Sequence, residues 1–438
     1  MKRIISLLLV AVMLCASLAS CMPNLEKYAI RFADDKVAVS EDLMQDEGYI
    51  SFLSKLTTFS ARLTHSMSLD MGNDRNFCIS PASIYMALAI ASESAMGETR
   101  NEILSALGIT YEEMNSFTQY LYSFINTEHL YSNAFGKQGT SGYGQLSNSI
   151  WIDSGLDYYM AGIYALTSKY NCDIYAASFR DGTAEKMINQ YIEYKTHGLV
   201  TGDLGFSADT AFAIINTIYL KEIWNDLGKN LIYTLDSYDF VNSDTSVTKK
   251  QFLKGNYAEG VVLETMYYDA FYTETENGYR LYFVLPKGEK TVADVFTSYT
   301  ISRLLAVKDF DHVDNANKQL HYTRLLFPEF SAGYNGDLSA LLKDDFGVNS
   351  LFDKESCDFS NLIAGSVHCN SFVHKTKLSI KASGIEGSPV QSISGAVAPT
   401  PSEYETVYHD FMINRSFGFF LVDEYGTLLY SGVINNLN

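Results

Sequence analysis

Phe417-Gly-Phe-Phe-Leu-Val422, then Asp423-Glu-Tyr-Gly426, then Leu428-Leu-Tyr-Ser-Gly-Val-Ile434: the chain closes on two apolar runs split by a polar turn. Short apolar runs around a glycine-containing turn read as a β-hairpin, and the lack of polar alternation says that its strands are buried on both faces. Such a hairpin needs further layers over it. Working back, Ala211-Phe-Ala-Ile-Ile215 runs into Thr217-Ile-Tyr-Leu220, and Tyr279-Arg-Leu-Tyr-Phe-Val-Leu285 ends at Pro286-Lys-Gly288, which gives two more strands. Helices lie among them. Tyr49, Phe52, Leu53, Leu56, Phe59 and Leu63 recur on one helical face. Thr99 and Glu102 form a capping box ahead of Ile103, Leu104 and Leu107, and Gly108 stops that helix. The Gly- and Ser-rich stretch between His129 and Ser149 reads as a mobile loop. Strands alternate irregularly with helices and no Pro/Gly linker follows residue 48, so a single α+β domain over 48–438 is expected.

The chain has 438 residues, 47% hydrophobic and 19% charged, long and apolar enough to bury a substantial core. Acidic residues outnumber basic ones 51 to 32, for a formal charge of −19, and no basic patch is visible. A phosphate backbone would repel that surface, which excludes a nucleic-acid partner. Residues 1–20 read as a signal peptide: Lys2 and Arg3 precede an apolar stretch from Ile4 to Leu14, too short to span a bilayer. The ending Leu18-Ala19-Ser20-Cys21 resembles the bacterial lipobox, which implies lipidation of Cys21 and a protein exported and lipid-anchored to the bacterial cell envelope or surface. The plainer alternative is ordinary signal cleavage with Cys21 an incidental thiol. No later apolar run approaches a bilayer's thickness. Residues 21–47 carry Glu26, Asp34, Asp35, Glu41, Asp42, Asp46 and Glu47 with little apolar patterning, and read as an acidic tether.

Catalytic signatures are missing: the sequence holds no Gly-x-Ser-x-Gly elbow, His-Glu-x-x-His, Walker loop or dinucleotide glycine fingerprint. Ser246-Val-Thr-Lys249 matches Ser-x-x-Lys, but it sits in a polar stretch without companion motifs. Cys357, His368, Cys369 and His374 follow no zinc spacing, so no metal and no cofactor is expected. Cys78, Cys172, Cys357 and Cys369 fit no disulfide framework. The aromatic content raises a glycan-binding surface lipoprotein as an alternative. Only two of the aromatic residues are Trp, against 31 Tyr and 26 Phe, and the tyrosines are spread through core-like segments.

Five segments in order resemble the serpin family, over about residue 48 to the end. They are Asn76-Phe-Cys-Ile-Ser80-Pro-Ala-Ser83 with Met86-Ala-Leu88 and Gly97-Glu-Thr99; Asn216-Thr-Ile-Tyr219-Leu-Lys-Glu-Ile-Trp224; Phe327-Pro-Glu-Phe330; Val373-His374-Lys375; and Phe417 to Gly432. The resemblance implies a large mixed β-sheet with further sheets, about eight or nine helices, and an exposed reactive loop at about 384–412. It implies a shutter cluster of Ser80, Ser83, Asn216 and His374 beneath the sheet, and a breach tryptophan at Trp224. The implied activity is that of a serine protease inhibitor, not an enzyme: a protease cleaves the loop, and insertion of the freed strand traps the acyl-enzyme before water releases it.

The resemblance also assigns the loop. Its hinge is Gly384, Ile385, Glu386, Gly387, Ser388 and Pro389, and here the chain departs from the family. Ala382 replaces an initial glutamate, Ile385 replaces a small hydroxyl residue, and Gly387-Ser388-Pro389 replaces an alanine-rich run. Proline cannot donate to a ladder, so Pro389 slows insertion without forbidding it. A non-inhibitory serpin, cleaved as a simple substrate, is the alternative. Hinge spacing puts the scissile bond at Ala398-Pro399, with Ala396-Val397 and Val397-Ala398 competing because proline disfavours cutting before it, and the long span up to Phe417 extends the count toward Tyr404 or Glu405. No Lys or Arg occurs from Ala382 to Asn414. A trypsin-like partner needs a basic residue for its pocket aspartate. Elastase-like or subtilisin-like serine proteases are therefore the expected partners, with papain-like cysteine proteases behind them.

Overall fold

Eight strands build the main sheet, and their order explains the rest of the chain. In a computed structural model, which describes residues 24–39, 41–132, 138–224, 231–255, 258–306, 310, 313–314, 316–386 and 404–437, this sheet begins at an edge with β1 (Ala29–Arg31). It continues through β5 (Cys172–Ala177), β4 (Gln138–Asp153), β6 (Phe212–Glu222), β17 (Gly384–Ile385), β16 (Val373–Lys381) and β15 (Phe330–Asp337), with β3 (Glu128–Ser132) also paired to β4. A second sheet runs β10 (Leu263–Glu264), β11 (Tyr268–Glu274), β12 (Arg280–Pro286), β19 (Phe417–Val422), β20 (Leu428–Ile434) and β2 (Phe77–Ile79). A third runs β13 (Val313–Asp314), β14 (Gln319–Pro328), β8 (Val247–Lys254) and β7 (Ile232–Val241), with β18 (Glu405–Met412) and β9 (Ala258–Glu259) also paired to β14.

Nine α-helices lie among the described residues: α1 (Glu47–Met71), α2 (Pro81–Ser94), α3 (Gly97–Leu107), α4 (Tyr111–Ile125), α5 (Met160–Lys169), α6 (Thr183–Lys195), α7 (Val292–Val295), α8 (Ser298–Ala306) and α9 (Ser339–Phe346). The α+β class and the single domain are as expected. None of these helices is long and apolar enough to cross a membrane. Every residue of α2 is buried, because it lies between the main sheet and the closing hairpin. Both strands of that hairpin, β19 and β20, are buried along their whole length.

Four local expectations are corrected. Among the described residues the Gly/Ser-rich stretch is strand, not loop: β3 pairs with β4, and β4 pairs with both β5 and β6. Its glycines are there for close approach. A Cβ on Gly144 would come 2.2 Å from the Ile125 carbonyl oxygen, and one on Gly142 would overlap the Glu222 carboxyl. The capping box does not form, because α3 starts three residues earlier, with Met96 at its N-cap. Thr99 instead accepts from the Asp358 amide at 3.1 Å, and the Glu102 carboxylate accepts from the Asn349 and Ser350 amides at 2.8 and 2.7 Å. Gly108 does end the helix, in the left-handed conformation.

The acidic segment is docked. β1 lines the sheet edge against β5, the Asp34 amide donates to the Thr167 carbonyl at 3.1 Å, the Ser123 hydroxyl donates to the Val37 carbonyl at 2.8 Å, and Leu43 is buried. Backbone pairing at a sheet edge needs no apolar alternation, so the side chains gave no sign of it. Likewise the loop expected to run to residue 412 ends by Glu405, where β18 begins a parallel ladder with β14.

Candidate functional site

The two central strands of the main sheet, β6 and β16, run parallel, and among the described residues no ladder joins them directly. β17 fills only one end of the break. Gly384 pairs with Lys381, and Ile385 pairs with Ile380 on one side and Glu222 on the other. Both β17 residues are buried. Gly384 is required here: its φ of 134° lies where L side chains rarely go, and a Cβ would come 1.9 Å from the Glu222 carbonyl oxygen. Glu386 follows, with a φ of 52° and its amide donating to the Ser379 carbonyl at 2.9 Å.

Below β17 the break opens into a cavity over α2, lined by Phe212 and Asn216 of β6, Val373 and His374 of β16, and Ser83 and Ala87 of α2. The structure brings Ser80, Ser83, Asn216 and His374 together there. The Ser80 amide donates to His374 Nε2 at 3.1 Å, and Ser80 Oγ caps α2 by accepting from the Ser83 amide at 3.2 Å. The Ser83 hydroxyl donates to Asn216 Oδ1, and the Asn216 amide group donates to Asn148 Oδ1. Asn148 in turn donates to the Tyr170 carbonyl at 2.7 Å, so the chain of bonds crosses from α2 to three strands. Burial pushes the His374 pKa down to about 3, leaving a neutral ring whose Nε2 accepts.

At the hinge end, Trp224 is buried and its indole N–H donates to the Lys381 carbonyl at 2.8 Å. Beside it, Asn277 donates to Glu222 Oε2 at 2.6 Å, while Glu222 Oε1 has no partner and burial pushes this carboxyl up to about 8. The Glu386 carboxyl is also raised by burial, and its Oε1 is unpartnered. On the strands bordering the break, the Thr217 and Thr376 hydroxyls are buried without partners. Sequence reading missed Asn148, Asn277, Glu222 and the two threonines. Only Asn148, polar just ahead of the apolar Ile150-Trp-Ile152, carried a signal. At the far side of the loop, the Glu405 amide donates to the Lys318 carbonyl at 2.8 Å, and Arg324 grips both oxygens of Asp410 at 2.9 and 2.8 Å. That anchorage removes Tyr404 and Glu405 as scissile candidates, since a bait must be free to enter a protease cleft.

Gly387, Ser388, Pro389, Ala396, Val397, Ala398, Pro399 and Cys21 lie outside the described residues. Among those described, no group of three or more His, Cys, Asp or Glu could hold a metal ion, and Cys78, Cys172, Cys357 and Cys369 are free thiols. Ser246 bonds to Asp244 and Lys249 faces Asp239, so the Ser-x-x-Lys pair builds no nucleophile.

A sheet parted at its centre, with a loop entering the break, defines a class, and comparison with known proteins gives its family. The family described as serpin (serine protease inhibitor) matches residues 54–437, and the chain belongs to it. Corticosteroid-binding globulin of Ovis aries is 26% identical over 372 residues, 82% of this chain and 80% of that protein. Among solved structures, the thermophilic serpin tengpin in its native state superposes with a TM-score of 0.71 at 20% identity, covering 93% of this chain and 98% of tengpin. Thyroxine-binding globulin complexed with thyroxine gives 0.70 at 21% identity, covering 88% and 99%.

Proposed function

We propose that this chain is a single-use trap for a serine protease, held at a bacterial envelope by lipid on Cys21. The observation that supports it most is Gly384-Ile385 seated between β6 and β16, two strands that share no ladder of their own. Adding a strand to open sheet edges is a recurring mode of recognition, and serpin loop insertion is itself an instance of it. The protease's serine attacks the bait carbonyl, the peptide bond breaks, and the downstream amine leaves, so the upstream strand is held as an ester. That strand is then free to move into the break. This chain supplies no catalytic group. Its part is to bury the strand faster than water cleaves the ester.

The existing register says how. Continued past Ile385, it brings Glu386 opposite Ser379 and Lys221, and Pro389 opposite Thr376 and Ile218. An antiparallel strand between parallel neighbours makes two ladders where there were none, each bond contributing about 0.5–1.5 kcal/mol net. Against this, Pro389 leaves a buried partner unmet at about 1–3 kcal/mol. Gly387 adds about 0.5–1 kcal/mol. The sum favours insertion.

The absence of Lys and Arg from 382 to 414 selects an elastase-like or subtilisin-like protease over a trypsin-like one, with papain-like cysteine proteases next. Incubating the mature domain with elastase and running a denaturing gel is the direct test. A covalent complex is expected, with intact mass placing the cut at 396–399. Cleavage with no complex and no rise in thermal stability favours a second reading, a non-inhibitory serpin. That reading draws on Glu222 and Glu386, two carboxyls at the mouth of the break that each keep an oxygen unpartnered, and on Pro389 in the strand that must enter.

A further inference from the structure

The register of the main sheet fixes which end of the molecule faces which way. Gly142 of β4, Glu222 of β6 and Ile385 of β17 share the hinge end. The opposite end holds Asp153 of β4 beside Ala177 of β5, and β1 runs antiparallel to β5 with Ala29 against Tyr175, so the chain before Ala29 emerges at that far pole. Between Gly142 and Asp153, β4 spans roughly 36 Å at about 3.3 Å per residue. Three steps separate Asn24 from Cys21, so the two are at most roughly 11 Å apart.

Leu25 and Tyr28 pack there against the Trp151, Tyr175 and Tyr191 cluster, and the same pole carries exposed apolar side chains on α5 and the turn before it. Tyr158 is 37% exposed, Tyr159 49%, Met160 44% and Tyr164 51%. Their place is fixed by the Tyr159 amide donating to Leu362, the Tyr158–Ile363 bridge, and α5 rising from Met160. Met160 and Tyr164 are one helical turn apart. The guanidinium of Arg31 stacks on the Tyr164 ring at 4.7 Å, joining the patch to β1 and to Phe32, itself 49% exposed. Charges here are mixed: Lys27, Arg31 and Arg180 stand among Glu26, Asp34, Asp157 and Asp181, with Arg31 paired to Asp34 at 2.7 Å. Tyrosines with a stacked arginine and no net cationic field suit the headgroup boundary of a bilayer, where amphipathic rings settle.

We propose that this pole, bearing Tyr158, Tyr159, Met160 and Tyr164, seats directly on the lipid surface, so that the bait loop stands at the opposite end and points away from the membrane. The inference rests on the reading of Cys21 as lipidated. It replaces a floating tether with a fixed posture.

The test uses the full acylated chain in phosphatidylcholine vesicles with brominated acyl chains. Tyr164→Trp adds a probe at the pole, and Leu235→Trp adds one on β7 of the third sheet, a side chain 94% exposed two residues after Tyr233, which lines a groove with Lys381 and Ser383. The native Trp151 and Trp224 are buried and supply the background. Bromine is expected to quench the emission added by Tyr164→Trp severalfold more than that added by Leu235→Trp, with a blue shift in the first variant alone. Equal quenching in both variants, or none in Tyr164→Trp protein whose intact mass shows the acyl chains, overturns the seating while leaving the anchor intact. A mature mass without acyl chains overturns the anchoring reading and the seating together.

Discussion

The indole N–H of Trp224 donates to the carbonyl oxygen of Lys381 at 2.8 Å, across the hinge end of the break between β6 and β16. Trp224 follows β6 and Lys381 ends β16, so one bond ties together two strands that no ladder joins. Its ring also meets Phe327 edge-on at a centroid distance of 6.4 Å. The bond closes the break at the end where Gly384-Ile385 enter it.

Trp224→Phe keeps most of the ring and deletes the donor. The Lys381 carbonyl then loses this donor, at about 0.5–1.5 kcal/mol. Thermal unfolding should shift down, and the intact protein should take up a synthetic peptide of its own 384–398 sequence faster than the parent. Unchanged uptake would show that the clasp does not gate the break.

Pro389→Ala restores an N–H where the incoming strand faces Thr376. With about 1–3 kcal/mol regained, the share of encounters ending in a covalent complex should rise severalfold, read as fewer inhibitor molecules consumed per protease silenced. An unchanged ratio would mean that insertion is not limited at this residue.

Glu222 makes stability fall as pH rises. Its folded pKa is raised to about 8 from 4.5, so its contribution is fully present below about 4.5 and is lost as pH climbs through about 8. Urea unfolding of Glu222→Gln should lose part of the parent's decline between pH 6.5 and 8. An identical decline in both would place the ionisation elsewhere.

His374 has the opposite sign. Its folded pKa is depressed to about 3 from 6.5, so its contribution is complete above 6.5 and drains away as pH falls toward 3. His374→Leu should flatten the acid side of the curve while lowering stability at neutral pH by about 1–3 kcal/mol, because the Ser80 amide loses its acceptor. Retained neutral stability would mean that another group receives that N–H.

How much of this was legible in the sequence depends on what each residue depends upon. The closing hairpin declares itself through Phe417–Val422 and Leu428–Ile434, since strands buried on both faces carry no polar alternation. Ser80, Ser83, Asn216 and His374 stand out as polar residues inside apolar segments, and their bonds join in one chain. Other features depend on distant partners. Gly142 and Gly144 look like loop glycines until Glu222 and Ile125 are seen pressing against them. Glu102 looks like a cap until Asn349 and Ser350 claim it. β1 is held by its backbone and had no side-chain pattern to offer. The pairing of Glu222 with Asn277 required knowing which strand ends meet, and adjacency along the chain does not tell.

The parallel ladder from Glu405 to Met412, followed by β19 and β20 deep in the second sheet, carries a practical lesson. The described chain downstream of a severed bait is paired into the third and second sheets, so scission leaves one particle of unaltered size. Chromatography under gentle conditions will report an intact species whether or not the bond has been spent. Only a sample boiled in detergent will release the short tail and reveal it.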